Sequence, residues 1–113
     1  MNVFMTVDQL KNNLSLESVA LPDSEKNVSG VYAGDLLSWV MGKAKCGDAL
    51  ITIMTNRNVL AVASLLDLSC VILAEDVEAD DDFITLANEK EINVLRSKLG
   101  TYNICVLLGN YIK

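Results

Sequence analysis

Apolar positions are densest between Asp48 and Glu75, where the chain reads GD-ALITIMT-NRN-VLAVASLLDLS-CVILAED. Ala49–Thr55 and Cys70–Ala74 are apolar on both faces, as strands covered from two sides are. Between them, Val59–Leu66 is long enough and apolar enough for a helix. Two buried strands joined by a helix form a parallel β-α-β unit with a right-handed crossover. The polar turn Thr55-Asn56-Arg57-Asn58 interrupts the run just past the first strand, where open α/β sheets hold ligands. Asn58 is the expected N-cap of the helix.

Thr6 followed by Gln9 has capping-box spacing, and Val7, Leu10 and Leu14 form one apolar stripe, so a helix is expected over 6–14. It resembles the first half of a DNA-binding helix-turn-helix, but no basic recognition helix follows. Residues 16–21 read as a short strand and Pro22 to Lys26 as a turn. Asn27 to Ala33 reads as one strand, after which Asp35 caps a helix from Leu36 to Lys45. On that helix Leu36, Trp39, Val40 and Lys43 share a face, and Gly42 suggests close packing on a sheet. The acidic run Glu75 to Asp82 lacks the central glycine of a calcium loop. It suits the first turn of a helix from Asp81 to Glu89, where carboxylates favour the dipole. Ile92–Leu95 then reads as a third buried strand and Thr101 to Tyr111 as the last helix.

These elements predict an α/β fold: a single-domain, three-layer-like βα module with a mainly parallel central sheet. Its extent is 1–113, a helix at 6–14 followed by a βα core at 27–112. A chain of 113 residues that is 51% hydrophobic and 21% charged buries ~65% of its unfolded surface, enough for one core. No apolar stretch reaches membrane-spanning length and no signal peptide is evident, so the expectation is a cytoplasmic protein.

Charge and residue chemistry narrow the function. A net charge of −6 with scattered basic residues argues against nucleic acid and against an anionic membrane surface. The chain has no histidine, which excludes histidine-based triads and HExxH zinc sites. Its three cysteines, Cys46, Cys70 and Cys105, match no zinc or redox spacing. Cys70 and Cys105 fit buried positions, and Cys46 an exposed turn. There is no phosphate loop, no GxGxxG and no GxSxG. The reading is therefore a non-enzyme with no catalytic residues, no metal and no cofactor.

The order of strand, Gly-Asp, apolar strand, polar turn with arginine, helix and strand resembles the DRTGG domain family. The stretches that carry the resemblance are VSGVYAGDLLSWV at 28–40, CGDALITIMTNRNVLAVASL at 46–65 and SCVILAEDVEADDDFITLANEKEINVL at 69–95. Arg57 keeps the arginine of the family's turn, with asparagine where aspartate is usual. The family is similar in fold to the N-terminal domain of the kinase/phosphorylase acting on the HPr phosphocarrier. It also occurs beside phosphotransacetylase catalytic domains and in regulatory regions of some inorganic pyrophosphatases. The resemblance implies a regulatory or assembly module, similar to small stand-alone proteins of clostridia-like bacteria.

Two functional expectations follow. The first is a non-catalytic regulatory or protein-interaction domain acting as a homodimer, because so apolar a small chain has surface to place in an interface. The second is a sensor of a small anionic metabolite or nucleotide, bound at the strand C-terminal ends by Ser29, Gly30, Tyr32, Asp35, Thr55, Asn56, Arg57 and Asn58. There Arg57 would pair an anionic group. The structural alternatives are an ion pair of Arg57 with Asp35 or Asp67, and a core-rim position for Tyr32.

Overall fold

The computed structural model describes residues 5–112. Thr6 accepts from the Gln9 amide and Gln9 reaches back to the Thr6 amide, so the expected capping box starts helix α1, Val7–Asn13. Before it, β1 (Met5–Thr6) pairs antiparallel with β3 (Asn27–Val28). Five more strands build the main sheet: β2 (Glu17–Ala20), β4 (Gly30–Ala33), β5 (Asp48–Thr52), β6 (Cys70–Leu73) and β7 (Val94–Arg96). Their order is β2-β7-β6-β5-β4, with β4 to β7 parallel and β2 antiparallel on β7.

The parallel strands run across the sheet in chain order, so successive crossovers step the same way. Helices α2 (Leu37–Lys43), α3 (Arg57–Leu66) and α4 (Asp81–Glu89) accordingly share one face. Val40, Leu60 and Phe83 pack there on Leu50, Val71 and Val94. After β7 the chain passes to the opposite face, where α5 (Thr101–Gly109) lies beside α1. Val7, Leu10, Ile104 and Leu108 cover Ala49, Ile51, Ile72 and Leu95. Strand β5 shows the logic in miniature: Leu50 points to one layer, and Ala49 and Ile51 to the other. A fully buried leucine such as Leu60 contributes roughly 2–3 kcal/mol. The result is the expected three-layer module with a mainly parallel sheet.

Several local expectations are corrected. Residues 27–33 are two strands broken at Ser29, whose amide donates to the Gly47 carbonyl at 3.0 Å. Asp35 does not cap α2, which starts from Leu36 with no side-chain cap. Trp39 is 57% exposed, and a Cβ on Gly42 would meet nothing within 4 Å. Only Val40 of the predicted face is buried, because α2 covers an edge strand with one side. Asn56, not Asn58, caps α3, and β5 stops at Thr52. The last strand is Val94–Arg96 rather than Ile92–Leu95.

Candidate functional site

The parallel strands end at Ala33, Thr52, Leu73 and Arg96, and the polar groups beyond them divide into those that fasten the fold and those that stay open. Asp35 belongs to the first kind. Its carboxylate accepts from the Thr52 hydroxyl at 3.0 Å and from the Ile53 amide at 3.1 Å. Thr52 is buried, and its oxygen also accepts from the Met54 amide. This fastening holds the β4–α2 loop against the end of β5.

Beyond β5, Asn56 accepts from the Asn58 amide at 3.0 Å and so starts α3 at Arg57. In the neighbouring loop Asp80 accepts from the Phe83 amide at 2.8 Å and starts α4. Between these two helix starts lies a groove of about 460 Å³. Thr55, Asn56 and Arg57 line one side; Asp80, Asp82, Phe83, Leu86 and Glu89 line the other. Among the described residues Arg57 forms no ion pair; of the two partners considered for it, Asp35 is held by Thr52 and Ile53 and Asp67 pairs with Lys26. Asp67 sits at the C-cap of α3, and the Lys26 ammonium that donates to it holds its carboxyl below the usual range. Three carboxylates against one guanidinium make the groove acidic overall, with a single cationic point.

The eight residues expected to form one site do not converge. Thr55, Asn56 and Arg57 share the groove, while Asn58, just inside α3, is not among its lining residues. Tyr32 is half-buried against the α2–α4 core, where a Cβ on Gly34 would lie 3.1 Å from its ring. Ser29 and Gly30 stand at the opposite end of the sheet, because Gly30 pairs with Asp48, the first residue of β5. Three strand steps of ~3.3 Å separate Gly30 from the carboxyl end of β4, which takes both residues away from Arg57. Gly30 has a packing reason instead: a Cβ there would run into the Asp48 carboxylate, which is buried and accepts from the Lys45 amide at 2.8 Å. Gly47, at φ +84°, makes the tight entry to β5 that this arrangement needs.

Sequence reasoning missed a second cluster, at the ends of β6 and β7. The loop after β6 leads to one face and the loop after β7 to the other, the arrangement that opens a crevice in α/β sheets. Here it is bridged. Glu75 and Asp76 adopt left-handed backbone at φ +62° and +57°, so that their amides donate to the carbonyls of Leu99 at 2.8 Å and Ser97 at 3.0 Å. Arg96 locks the turn. It donates to the Val77 carbonyl at 2.8 Å, to the Asp76 carbonyl at 2.9 Å and to the Asp76 carboxylate at 2.8 Å, and it reaches Glu17 on β2 at 3.1 Å. Two adjacent non-glycine residues at positive φ are unusual. The sequence signal was an acidic pair directly after a strand, with an arginine ending the next one.

The family model of the DRTGG domain matches residues 23–110. The chain belongs to the DRTGG domain family. The matched span of this DRTGG domain protein begins at the turn before β3 and includes the groove and Arg96 with the turn after β6 that it holds, but not Glu17. No curated protein matches it in sequence. Among solved structures it is similar to the CBS and DRTGG domains of the regulatory region of Clostridium perfringens pyrophosphatase, complexed with the activator diadenosine tetraphosphate. The TM-score is 0.77 at 18% identity, covering 95% of this chain and 47% of that one. The likeness establishes the fold, and the DRTGG protein spans about half the length of that neighbour. Among the described residues, no helix is long and apolar enough to cross a membrane.

Proposed function

We propose that this DRTGG protein is a non-catalytic regulatory and protein-interaction domain of the bacterial cytoplasm, the whole chain forming one unit that acts as a homodimer. The observation that carries the reading is the employment of its polar groups. At the strand ends Asp35, Thr52 and Arg96 are committed to fastening loops: the buried Thr52 hydroxyl donates to Asp35, which also holds the Ile53 amide, and Arg96 holds the turn after β6. The placement of the neighbour's DRTGG domain in a regulatory region supports it. Sedimentation from micromolar to near-millimolar protein tests the dimer: mass should rise towards twice the monomer, and a monomer throughout refutes it.

A second reading has its own support. Arg57 is exposed on a groove of ligand-binding size, and the neighbour binds a nucleotide activator. In this reading the groove takes a small anionic metabolite or nucleotide through Arg57. Thermal-shift screening with nucleotides and phosphorylated metabolites tests it, with Arg57→Ala alongside. A ligand at a hundred times its Kd stabilises by ~2.7 kcal/mol. A shift lost in the variant supports the sensor, and a flat screen removes it.

A further inference from the structure

We propose that the outer face of α5 is the surface on which a second copy of this chain docks, in a two-fold arrangement; this rests on the homodimer reading above. A surface helix ordinarily carries charge on its outer side. Between Thr101 and Gly109 α5 carries none, in a chain that is 21% charged overall. Its inner side is the expected one, with Ile104 and Leu108 buried. Its outer side exposes Tyr102 at 78% and Val106 at 48%, followed by Gly109. These fall at i, i+4 and i+7, one stripe along the helix. Asn103 and Asn110, polar but uncharged, flank it. By contrast, α4 in the opposite layer has Asp81, Asp82 and Glu89 on its surface.

Charge selects the occupant. Each copy has a net charge of −6, so two copies repel wherever their acidic surfaces meet. The α5 stripe lets them approach without burying like charges, and α1 beside it carries one acidic and one basic residue, Asp8 and Lys11. A basic partner would find no attraction on α5 and would favour the acidic α4 side. A second exposed apolar patch, on α2, is less suited to a second copy, because Lys43 lies over the Trp39 ring at 5.6 Å and a two-fold would bring two lysines together.

Shape agrees with this assignment, and area sets its strength. A two-fold interface sets the same patch against itself. With the helices antiparallel, Tyr102 of one copy faces the Gly109 end of the other, where a Cβ position has nothing within 4 Å and leaves room for a ring. An aromatic side chain offers ~200 Å², so Tyr102 supplies roughly 150 Å², and the stripe together with its flanking Asn103 and Asn110 about 400 Å² per copy. The total, about 800 Å², is below the standard interface, so the dimer is a weak, concentration-dependent one.

Sedimentation velocity on the full chain tests the assignment, comparing wild type with Val106→Glu, Tyr102→Ser and Trp39→Ser. Val106→Glu sets two carboxylates together across the two-fold and should weaken association at least about ten-fold. Tyr102→Ser should weaken it also, and its side chain is too exposed to be needed for folding, so it decides the matter if Val106→Glu misfolds. Trp39→Ser should associate as wild type does. A wild-type dimer that survives both α5 substitutions, or that is lost in Trp39→Ser, overturns the α5 assignment and leaves the homodimer standing. A wild type that is monomeric at every concentration refutes the homodimer itself.

Discussion

Asn93 is the polar side chain whose removal the structure makes most costly. It is 1% exposed, between the end of α4 and β7. Its amide nitrogen donates to the carbonyls of Asp23 at 2.8 Å and Ser69 at 3.0 Å, and its oxygen accepts from the Asp23 amide at 2.9 Å. One side chain thus ties the turn before β3 to the turn before β6. Asn93→Ala removes all three bonds and takes this donor from the carbonyl of Ser69, which is buried. At ~1 kcal/mol net per bond, the expected loss is ~3 kcal/mol. With an unfolding entropy near 2.1 cal/mol/K per residue, that lowers Tm by ~12 °C in a domain of this length. Urea unfolding followed by circular dichroism measures it, as a fall in midpoint with unchanged slope. Asn93→Asp keeps the volume and one acceptor but turns oxygen towards two carbonyls, so it should cost as much at neutral pH. Asn88→Ala, on exposed α4, is the surface control and should stay within ~0.5 kcal/mol. A loss below ~1 kcal/mol for Asn93→Ala would refute the reasoning, because the pinned turn would then be held by something else.

Arg96→Lys keeps the charge but cannot fork between Val77 and Asp76; it should cost ~1–2 kcal/mol and speed amide exchange at Glu75 and Asp76, and unchanged exchange there would deny Arg96 its locking role. In the native protein Cys46 is exposed and should react first with a thiol reagent. Cys70, buried and pushed up to about 12 by desolvation, should react only on unfolding, with Cys105, also raised by burial, in between; a Cys70 as fast as Cys46 would contradict its placement. The Lys26–Asp67 pair lowers the Asp67 carboxyl in the folded state, so its small stabilisation is present above the unfolded value of 3.8 and fades as pH falls through the lower folded value. Asp67 is 65% exposed, so solvent screens the pair; Lys26→Met should remove this acid-side dependence, and a steeper one in the variant would reverse the sign.

Much of the fold was legible because the features that announce it are local. The Thr6–Gln9 capping box and the helix Asp81–Glu89 need only residues three or four apart. The β5-α3-β6 unit declares itself through apolar runs of different length. What was not legible depends on distant partners. Asp35 looked like a cap, but Thr52 and Ile53 offered it donors across the sheet. Asn56 and Asn58 are chemically equal candidates for one cap, and Arg57 between them hides the helix start from an apolar pattern. At the candidate site, the turn with Arg57 was visible as a polar break, yet the opposite wall belongs to α4, whose acidic start read simply as helix chemistry. Ser29 and Gly30 show the cost of ignoring strand length: residues that begin a strand cannot join a site at its end.

The antiparallel seat of β2 beside β7 sets the order in which the chain can finish folding. Glu17 meets Arg96 across 79 positions, whereas β5 and β6 pair across about 20. Closing the longer loop costs ~1 kcal/mol more in chain entropy, and during synthesis it cannot begin until β7 has been made. Val7 and Leu10 belong to a core layer that β7 and α5 complete, so they wait on the growing chain with their apolar side uncovered. Pulse-labelled hydrogen exchange during refolding should therefore protect Ala49–Thr52 and Cys70–Leu73 before Glu17–Ala20. Simultaneous protection would mean that the sheet closes in a single step.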